Sequence, residues 1–389
     1  MISRSAAMPL AAAHAAFVLT GTLTTLLGPI LPVVSASWSL DDTAAGALFA
    51  AQFAGSIAGT AVSGALVQRA GFSAAVTLGL ALMSAGTGGL PLAAWPGALL
   101  LVGSYGVGLG ITIPATNLYV AESAPGPRSA ALNILNLAWA AGAVVSPPVF
   151  AWMAARGRTD LFFFGLSAAL VAAAIACAAS MRARVEGAAS LQPPPRGARG
   201  AATQPVYWRS TAFIAFAVLF FVYVGTENAL AGWVAVYAHR VESSAASLSM
   251  STLFWGALML GRAVAPYSLR HASETALILC WLLLAAIGTV LLLRAADLAA
   301  IAFSTALCGF GLAAVFPTTI AQLSREFGGA SARAAAIAFV FAGLGGAVVP
   351  WLVGAWSTAT GSLRTGLLVP LAGCLVMLAL HAWRPKVRA

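Results

Sequence analysis

Charge is what this sequence has least of. Of 389 residues only 8% are charged, 10 acids and 20 bases, while 61% are hydrophobic. A water-soluble domain carries roughly a quarter charged residues, because it needs a polar surface. This chain cannot cover such a surface, which excludes a soluble globular fold and places it in lipid. Lysine is nearly absent: Lys386 stands alone among arginines. The bases are dispersed, one or two per loop, so the net charge of +10 reads as a topology signal. It does not form a polyanion-binding patch, and no nucleic-acid partner is implied. Cysteine is scarce too. Cys177, Cys280, Cys308 and Cys374 all lie in apolar stretches, and none pair at metal or redox spacing. The four histidines (His14, His239, His271, His381) fall near segment ends and form no cluster. No metal and no cofactor are implied. No acid–base constellation argues for an enzyme, and no nucleotide-binding loop is visible.

What the chain does have is long apolar runs. Windows of about 20 residues give spans at 14–34, 44–67, 74–92, 98–120, 129–153, 161–180, 211–237, 247–266, 275–293, 298–321, 334–356 and 366–383. Arg4 and the Ala-rich stretch after it resemble a signal peptide. However, the apolar run from His14 to Val34 is too long for a signal core and ends in Gly28-Pro29-Ile30-Leu31-Pro32. It is read as the first span.

An even number of spans puts both termini on one side. That side carries Arg4, Arg69, Arg128, Arg182, Arg184, Arg196, Arg199, Arg209, Arg270, Arg325, Arg333, Arg384, Lys386 and Arg388. The other side carries only Arg156, Arg158, Arg240, Arg294 and Arg364, with Asp41 and Asp42 in its first loop. Basic loops stay cytoplasmic, so both termini are expected in the cytoplasm of a bacterial inner membrane. The longest polar stretch, with Pro193-Pro194-Pro195 and scattered Arg and Gly, reads as a flexible linker. The expected division is a six-helix half over 1–186, a cytoplasmic linker over 187–210, and a second six-helix half over 211–389.

The halves repeat. Gly106-Val-Gly-Leu-Gly-Ile-Thr-Ile-Pro114-Ala-Thr116 in span 4 matches Gly309-Phe-Gly-Leu-Ala-Ala-Val-Phe-Pro317-Thr-Thr319 in span 10, 203 positions later. Gly142 in span 5 matches Gly346 in span 11, and Arg69 matches Arg270. Several matches at nearly one offset indicate duplication. The fold expected is an all-α membrane protein of twelve transmembrane helices, two six-helix halves related by pseudo-two-fold symmetry about the membrane normal. Solute sites in such folds lie between the halves near mid-membrane.

Gly64-Ala-Leu-Val-Gln-Arg69-Ala-Gly71, between spans 2 and 3, resembles the Gly-x-x-x-Asp-Arg-x-Gly signature of the major facilitator superfamily. Gln68 stands where that family has Asp. Glu122 and Arg128 resemble the family's other inner-gate charges. The resemblance implies a gating role for Arg69, Glu122 and Arg128, and by the repeat for Arg270. Three further stretches resemble the fucose–proton symporter branch: Leu27-Gly-Pro-Ile-Leu-Pro32; Tyr223-Val-Gly-Thr-Glu227 with Gly232-Trp233 and Tyr237; and Phe254-Trp-Gly-Ala-Leu-Met-Leu-Gly-Arg262. That branch implies a proton-binding Asp in span 1, where this chain has Thr20, Thr22, Thr24 and Thr25.

Among the acids only Glu227 lies well inside a span, roughly 24 Å along span 7 from Thr211. A carboxylate in hydrocarbon normally faces a wet cavity or a partner. It is read either as a site for a proton, a sodium ion or a substrate hydroxyl, or as a structural carboxylate bonded to neighbouring polar groups such as Asn228. Arg262 is the only base inside a span, near the cytoplasmic end of span 8. By residue count it sits well below Glu227, so a direct bridge is not expected. It reads as a gate or snorkelling residue, with an anionic substrate as the other option. Gln52, Asn117, Asn133, Asn136 and Trp139 in the first half, and Tyr223, Asn228, Trp233, Trp255 and Gln322 in the second, are substrate-binding candidates. Amides bond sugar hydroxyls and rings stack on sugar C–H faces, although such residues also glue helices together. Asn133 and Asn136 share one helical face. Pro114, Pro147, Pro148, Pro317 and Pro350 are expected to kink their helices.

These features converge on a monomeric secondary transporter moving a small polar, sugar-like molecule by alternating access, coupled to a proton or sodium ion. The alternative is a proton-coupled exporter of amphipathic compounds. It draws on a weak antiporter-like echo, Gly142 followed four residues on by Ser146-Pro147.

Overall fold

The computed structural model describes residues 4–124, 127–185 and 210–383. The linker expected over 187–210 lies, but for Ser210, outside the described residues. All regular structure among the described residues is helical. In lipid that is forced, because a helix satisfies its backbone N–H and C=O groups within one segment.

The helices are α1 (Arg4–Thr24), α2 (Leu27–Ser37), α3 (Asp42–Gly89), α4 (Ala98–Ser123), α5 (Arg128–Ala154) and α6 (Thr159–Val185). After the linker come α7 (Thr211–Val241), α8 (Ala245–Leu248), α9 (Met250–Ser268), α10 (Glu274–Arg294), α11 (Leu298–Leu312), α12 (Val315–Phe327), α13 (Ser331–Thr360), α14 (Leu363–Gly366) and α15 (Leu368–Trp383). Ten helices, taken with their continuations, are long and apolar enough to cross a bilayer, and the α1–α2 pair, bent by 48°, makes eleven. The twelfth is hidden in α3, which joins two spans across Gly71 at φ 84° and ψ 169°. That left-handed φ suits only glycine at no steric cost, so the last residue of the signature turns span 2 into span 3.

Two spans expected as single helices, 14–34 and 298–321, are broken, a third break falls at the very start of the span expected over 366–383, and each break has a proline shortly after it. α1 ends and α2 begins around Thr25–Leu26, before Pro29; α11 gives way to α12 at Ala313–Ala314, before Pro317; α14 gives way to α15 at Leu367, before Pro370. A proline ring clashes with the carbonyl four residues back and offers it no N–H. Pro114, Pro147, Pro148 and Pro350 instead sit inside the continuous helices α4, α5 and α13. The span expected over 247–266 is also divided, with α8 and α9 parted at Ser249.

The chain forms two compact units, one of Met1–Leu40, Ala47–Leu191 and Ser244–Thr252, the other of Asp41–Gly46, Gln192–Ser243 and Leu253–Ala389. Their interiors repeat in atomic detail. In the first, a Cβ on Gly142 would lie 1.9 Å from the Val18 oxygen, and one on Gly21 would lie 1.9 Å from the Trp139 oxygen, so α1 and α5 touch backbone to backbone. In the second, a Cβ on Gly345 would lie 1.9 Å from the Phe221 oxygen, and Gly225 meets Val349, so α7 and α13 touch the same way. Gly106 packs on the backbone of Gln52 and Gly309 on that of Phe254, each with an oxygen 2.2 Å from the missing Cβ. Without a hydrophobic drive between helices in lipid, such close approach supplies the packing.

These contacts predict sharply different costs for one methyl group. Gly142→Ala and Gly345→Ala each lower stability by about 2 kcal/mol through overpacking. Gly165→Ala in α6, where nothing lies within 4 Å of the added carbon, gains up to about 1 kcal/mol of helix propensity. Thermal melts in detergent micelles check this; equal effects at the three positions would contradict the packing described.

Candidate functional site

The polar interior of the second unit is organised by α7. Tyr223 and Glu227 are four residues apart, hence on one face, and the Tyr223 hydroxyl donates to Glu227 Oε1 at 2.8 Å. The Arg262 guanidinium of α9 comes within 3.5 Å of the same oxygen. Glu227 is buried and is held by Tyr223 and Arg262, not by Asn228. Asn228 donates to Val224 O of its own helix at 2.8 Å.

The direct Glu227–Arg262 bridge is thus present, against the sequence expectation. Counting rise along two helices placed the two Cα atoms at different depths. The count left out helix tilt and the reach of an arginine, whose stem lets the charged head lie far from its Cα. With the carboxylate ionised the pair is neutral, which makes two charges tolerable in a low-dielectric interior. Aromatic rings back it on the α12 and α13 side: Tyr223 lies 5.7 Å from Phe316, which stacks at 6.1 Å on Phe339.

In the first unit a second polar network surrounds the break between α1 and α2. Gln52 Nε2 donates to Thr24 O at 3.2 Å, and Tyr105 OH donates to Gln52 Oε1 at 2.9 Å. Trp139 Nε1 donates to Thr24 Oγ1 at 3.4 Å. Gln52 is 2% exposed, with both polar atoms engaged. It holds the end of α1.

The remaining amides point to a different habit. Asn117 and Asn136 donate to Ile113 O and Leu132 O, four residues back, at 2.8 and 2.9 Å. That spends one N–H of each on its own helix. Asn133 is exposed, and Gln322 is half-buried on α12. Trp233 is fully buried and donates to Pro350 O at 2.9 Å, which ties α7 to α13. Trp255 is buried edge-on against Phe254 at 5.3 Å.

Arg69, Glu122, Arg128 and Arg270 are exposed. Among the described residues no ion pair joins them; the pairs formed are Arg240–Asp42, Arg262–Glu227 and Arg325–Glu274. Sequence reasoning did not find the first and third. Asp42, in the first turn of α3, is gripped by Arg240 in the last turn of α7, with contacts of 3.0 and 2.5 Å, and by the Ser357 hydroxyl. The only signal was charge of favourable sign at helix ends. Nothing in a linear reading joins positions so far apart. No three His, Cys, Asp or Glu side chains gather to hold a metal ion among the described residues.

No curated protein matches the sequence. The chain is similar in fold to several solved transporters. A bacterial homolog of the human lysosomal transporter Spinster, inward-facing and unoccupied, superposes with a TM-score of 0.76 at 14% identity, covering 98% of this chain and 97% of that one. The D-xylose–proton symporter gives 0.72 at 18% identity over 97% of each chain. A variant of the E. coli fucose:proton symporter gives 0.60 at 17% identity, over 99% of this chain and 100% of that one. In sequence, the profile of the Major Facilitator Superfamily matches residues 13–277, through the first unit and on into the second. With twelve spans, a repeated six-helix pattern and that match over most of its length, the chain belongs to the Major Facilitator Superfamily.

Proposed function

We propose that this transporter moves a small polar, sugar-like solute across the bacterial inner membrane by alternating access, with a proton as the coupling ion at Glu227. The observation that carries the reading is the buried carboxylate of Glu227, held between the Tyr223 hydroxyl and the Arg262 guanidinium inside a span. An ionisable side chain at membrane depth marks an ion or substrate pathway by default. A proton neutralises the carboxylate without needing room for a hydrated ion, whereas sodium would sit beside a guanidinium. Fold neighbours named as fucose:proton and D-xylose–proton symporters support the same class.

In this reading the halves 1–186 and 211–389 rock about the linker 187–210, with both termini cytoplasmic, as the arginine asymmetry supports. Asn117, Asn133 and Asn136 offer acceptors to solute hydroxyls, and Trp139 a ring edge. Arg69, Glu122, Arg128 and Arg270 serve the inner gate. The chain works as a monomer and carries out no covalent chemistry. A second reading, proton-coupled export of amphipathic compounds, draws on the aromatic wall of Phe220, Phe316 and Phe339 beside Tyr223.

Uptake of a labelled sugar panel into proteoliposomes, under an imposed pH or sodium gradient, tests the assignment. Wild type accumulates solute when the outside is acidic. Glu227→Gln loses accumulation and keeps counterflow exchange, because it mimics the protonated carboxyl. Accumulation surviving in Glu227→Gln removes the coupling role. Expulsion of a lipophilic dye with no sugar uptake promotes the exporter. Tyr223→Phe, which deletes one hydrogen bond of about 1 kcal/mol, slows gradient-driven uptake about fivefold and leaves counterflow within about twofold.

A further inference from the structure

The contacts of the three ion pairs differ in kind. Arg240 grips Asp42 through two nitrogens, and Arg325 grips Glu274 through two. Arg262 reaches Glu227 through one nitrogen only, at 3.5 Å. Its side chain stays 40% exposed while that of Glu227 is 11% exposed. A guanidinium has five N–H donors in a fork that matches a carboxylate with two parallel bonds. Among the described residues, beyond the long Glu227 contact and an interaction with the Tyr223 hydroxyl, most of that fork is unspent.

Charge balance then restricts what the site can take. As it stands the pair sums to zero. A proton on Glu227 alone leaves the part-exposed Arg262 an uncompensated cation within a membrane span. A proton with a neutral sugar leaves the same excess of one positive charge. A proton with a monoanionic solute restores zero, and it gives the free fork the ligand whose geometry it fits. Both the empty and the loaded forms are then neutral, so neither is held back by the cost of carrying charge through the membrane.

Resting on the proton-coupled reading above, we propose that the solute bears a single acidic group, and that its carboxylate takes the place of Glu227 on Arg262. In the step, a proton from water on the acidic side bonds to a Glu227 oxygen and the Glu227–Arg262 pair opens. The solute carboxylate then pairs with Arg262. On the other side the solute leaves, the proton returns to water, and the internal pair re-forms. Nothing is oxidised or reduced.

The groups that set the pH response are few. The elements packed against α7 bring Cys308 (α11), Arg325 and Glu326 (α12), Arg333 (α13), and Cys374 and His381 (α15). The charges and hydrogen bonds acting on Glu227 come from Arg262 on α9 and from Tyr223 on α7 itself. Anion binding therefore follows protonation of one carboxyl. It tightens as pH falls, by up to about tenfold per unit, the limit for one linked proton.

Thermal shift of the full chain in detergent micelles tests this with matched probes: D-glucose against D-glucuronate, D-galactose against D-galacturonate, and lactate and benzoate as short acids. At least one acid raises the melting temperature of wild type, more at pH 5.5 than at pH 7.5, and its neutral partner does not. The shift vanishes in Arg262→Gln, survives weakened in Arg262→Lys, and loses its pH dependence in Glu227→Gln. The melting temperature of each variant without probe shows whether it is folded. Stabilisation by neutral sugars alone overturns the proposal, as does a panel in which no acid binds, or acid binding that survives Arg262→Gln. The proton-coupled reading fails separately, by accumulation that persists in Glu227→Gln.

Discussion

Inside a bilayer there is no water to satisfy a polar group, so each one must be met by the chain itself. That constraint shapes this protein from its backbone to its buried side chains. It makes the fold all helical. It also decides what happens where helices break, because a break frees carbonyls in hydrocarbon. At the break in span 1 the Thr24 carbonyl is met by the Gln52 amide, which Tyr105 in turn holds. Within the unbroken helix α13 the buried Trp233 indole N–H is met in turn, by the Pro350 carbonyl. The same rule governs charge. Glu227 sits within α7 because Tyr223 and Arg262 sit against it.

The spans were legible because a run of about 20 apolar residues has few other uses. The breaks were less so. Prolines in or near helices invite the same local clash, yet Pro29, Pro317 and Pro370 go with a break, while Pro114, Pro147, Pro148, Pro266 and Pro350 lie within continuous helices. Which outcome a proline takes depends on neighbours from other helices, and these are not adjacent in sequence. The turn at Gly71 was marked by the signature around Arg69, but not its conformation, which lets α3 run on without a loop.

The candidate site was half legible. Glu227 stood out because acids inside spans are rare. Its partners did not, because depth counted along a helix omits tilt and the length of an arginine side chain. The amides were legible as polar groups, but their bonding within the fold was not. Gln52 spends both ends on helix α1 and Tyr105, and Asn117, Asn136 and Asn228 each return a donor to their own helix. The repeat proved a structural fact as well as a sequence one: glycines press α1 on α5 and α7 on α13 in the same way. What differs between the units is the polar interior set on this shared frame, above all the charged pair that α7 and α9 carry in the second.

A double-mutant cycle on thermal unfolding reads whether Glu227 and Arg262 are held as a pair within the membrane spans. The cycle compares Glu227→Gln, Arg262→Gln and the double variant in detergent micelles. If they are paired, the double variant loses less than the two single losses combined, by a coupling of about 1 kcal/mol, kept modest because Arg262 is part-exposed and screened. Additive losses, within about 0.3 kcal/mol, would mean that the two side chains act independently, and would contradict the pairing.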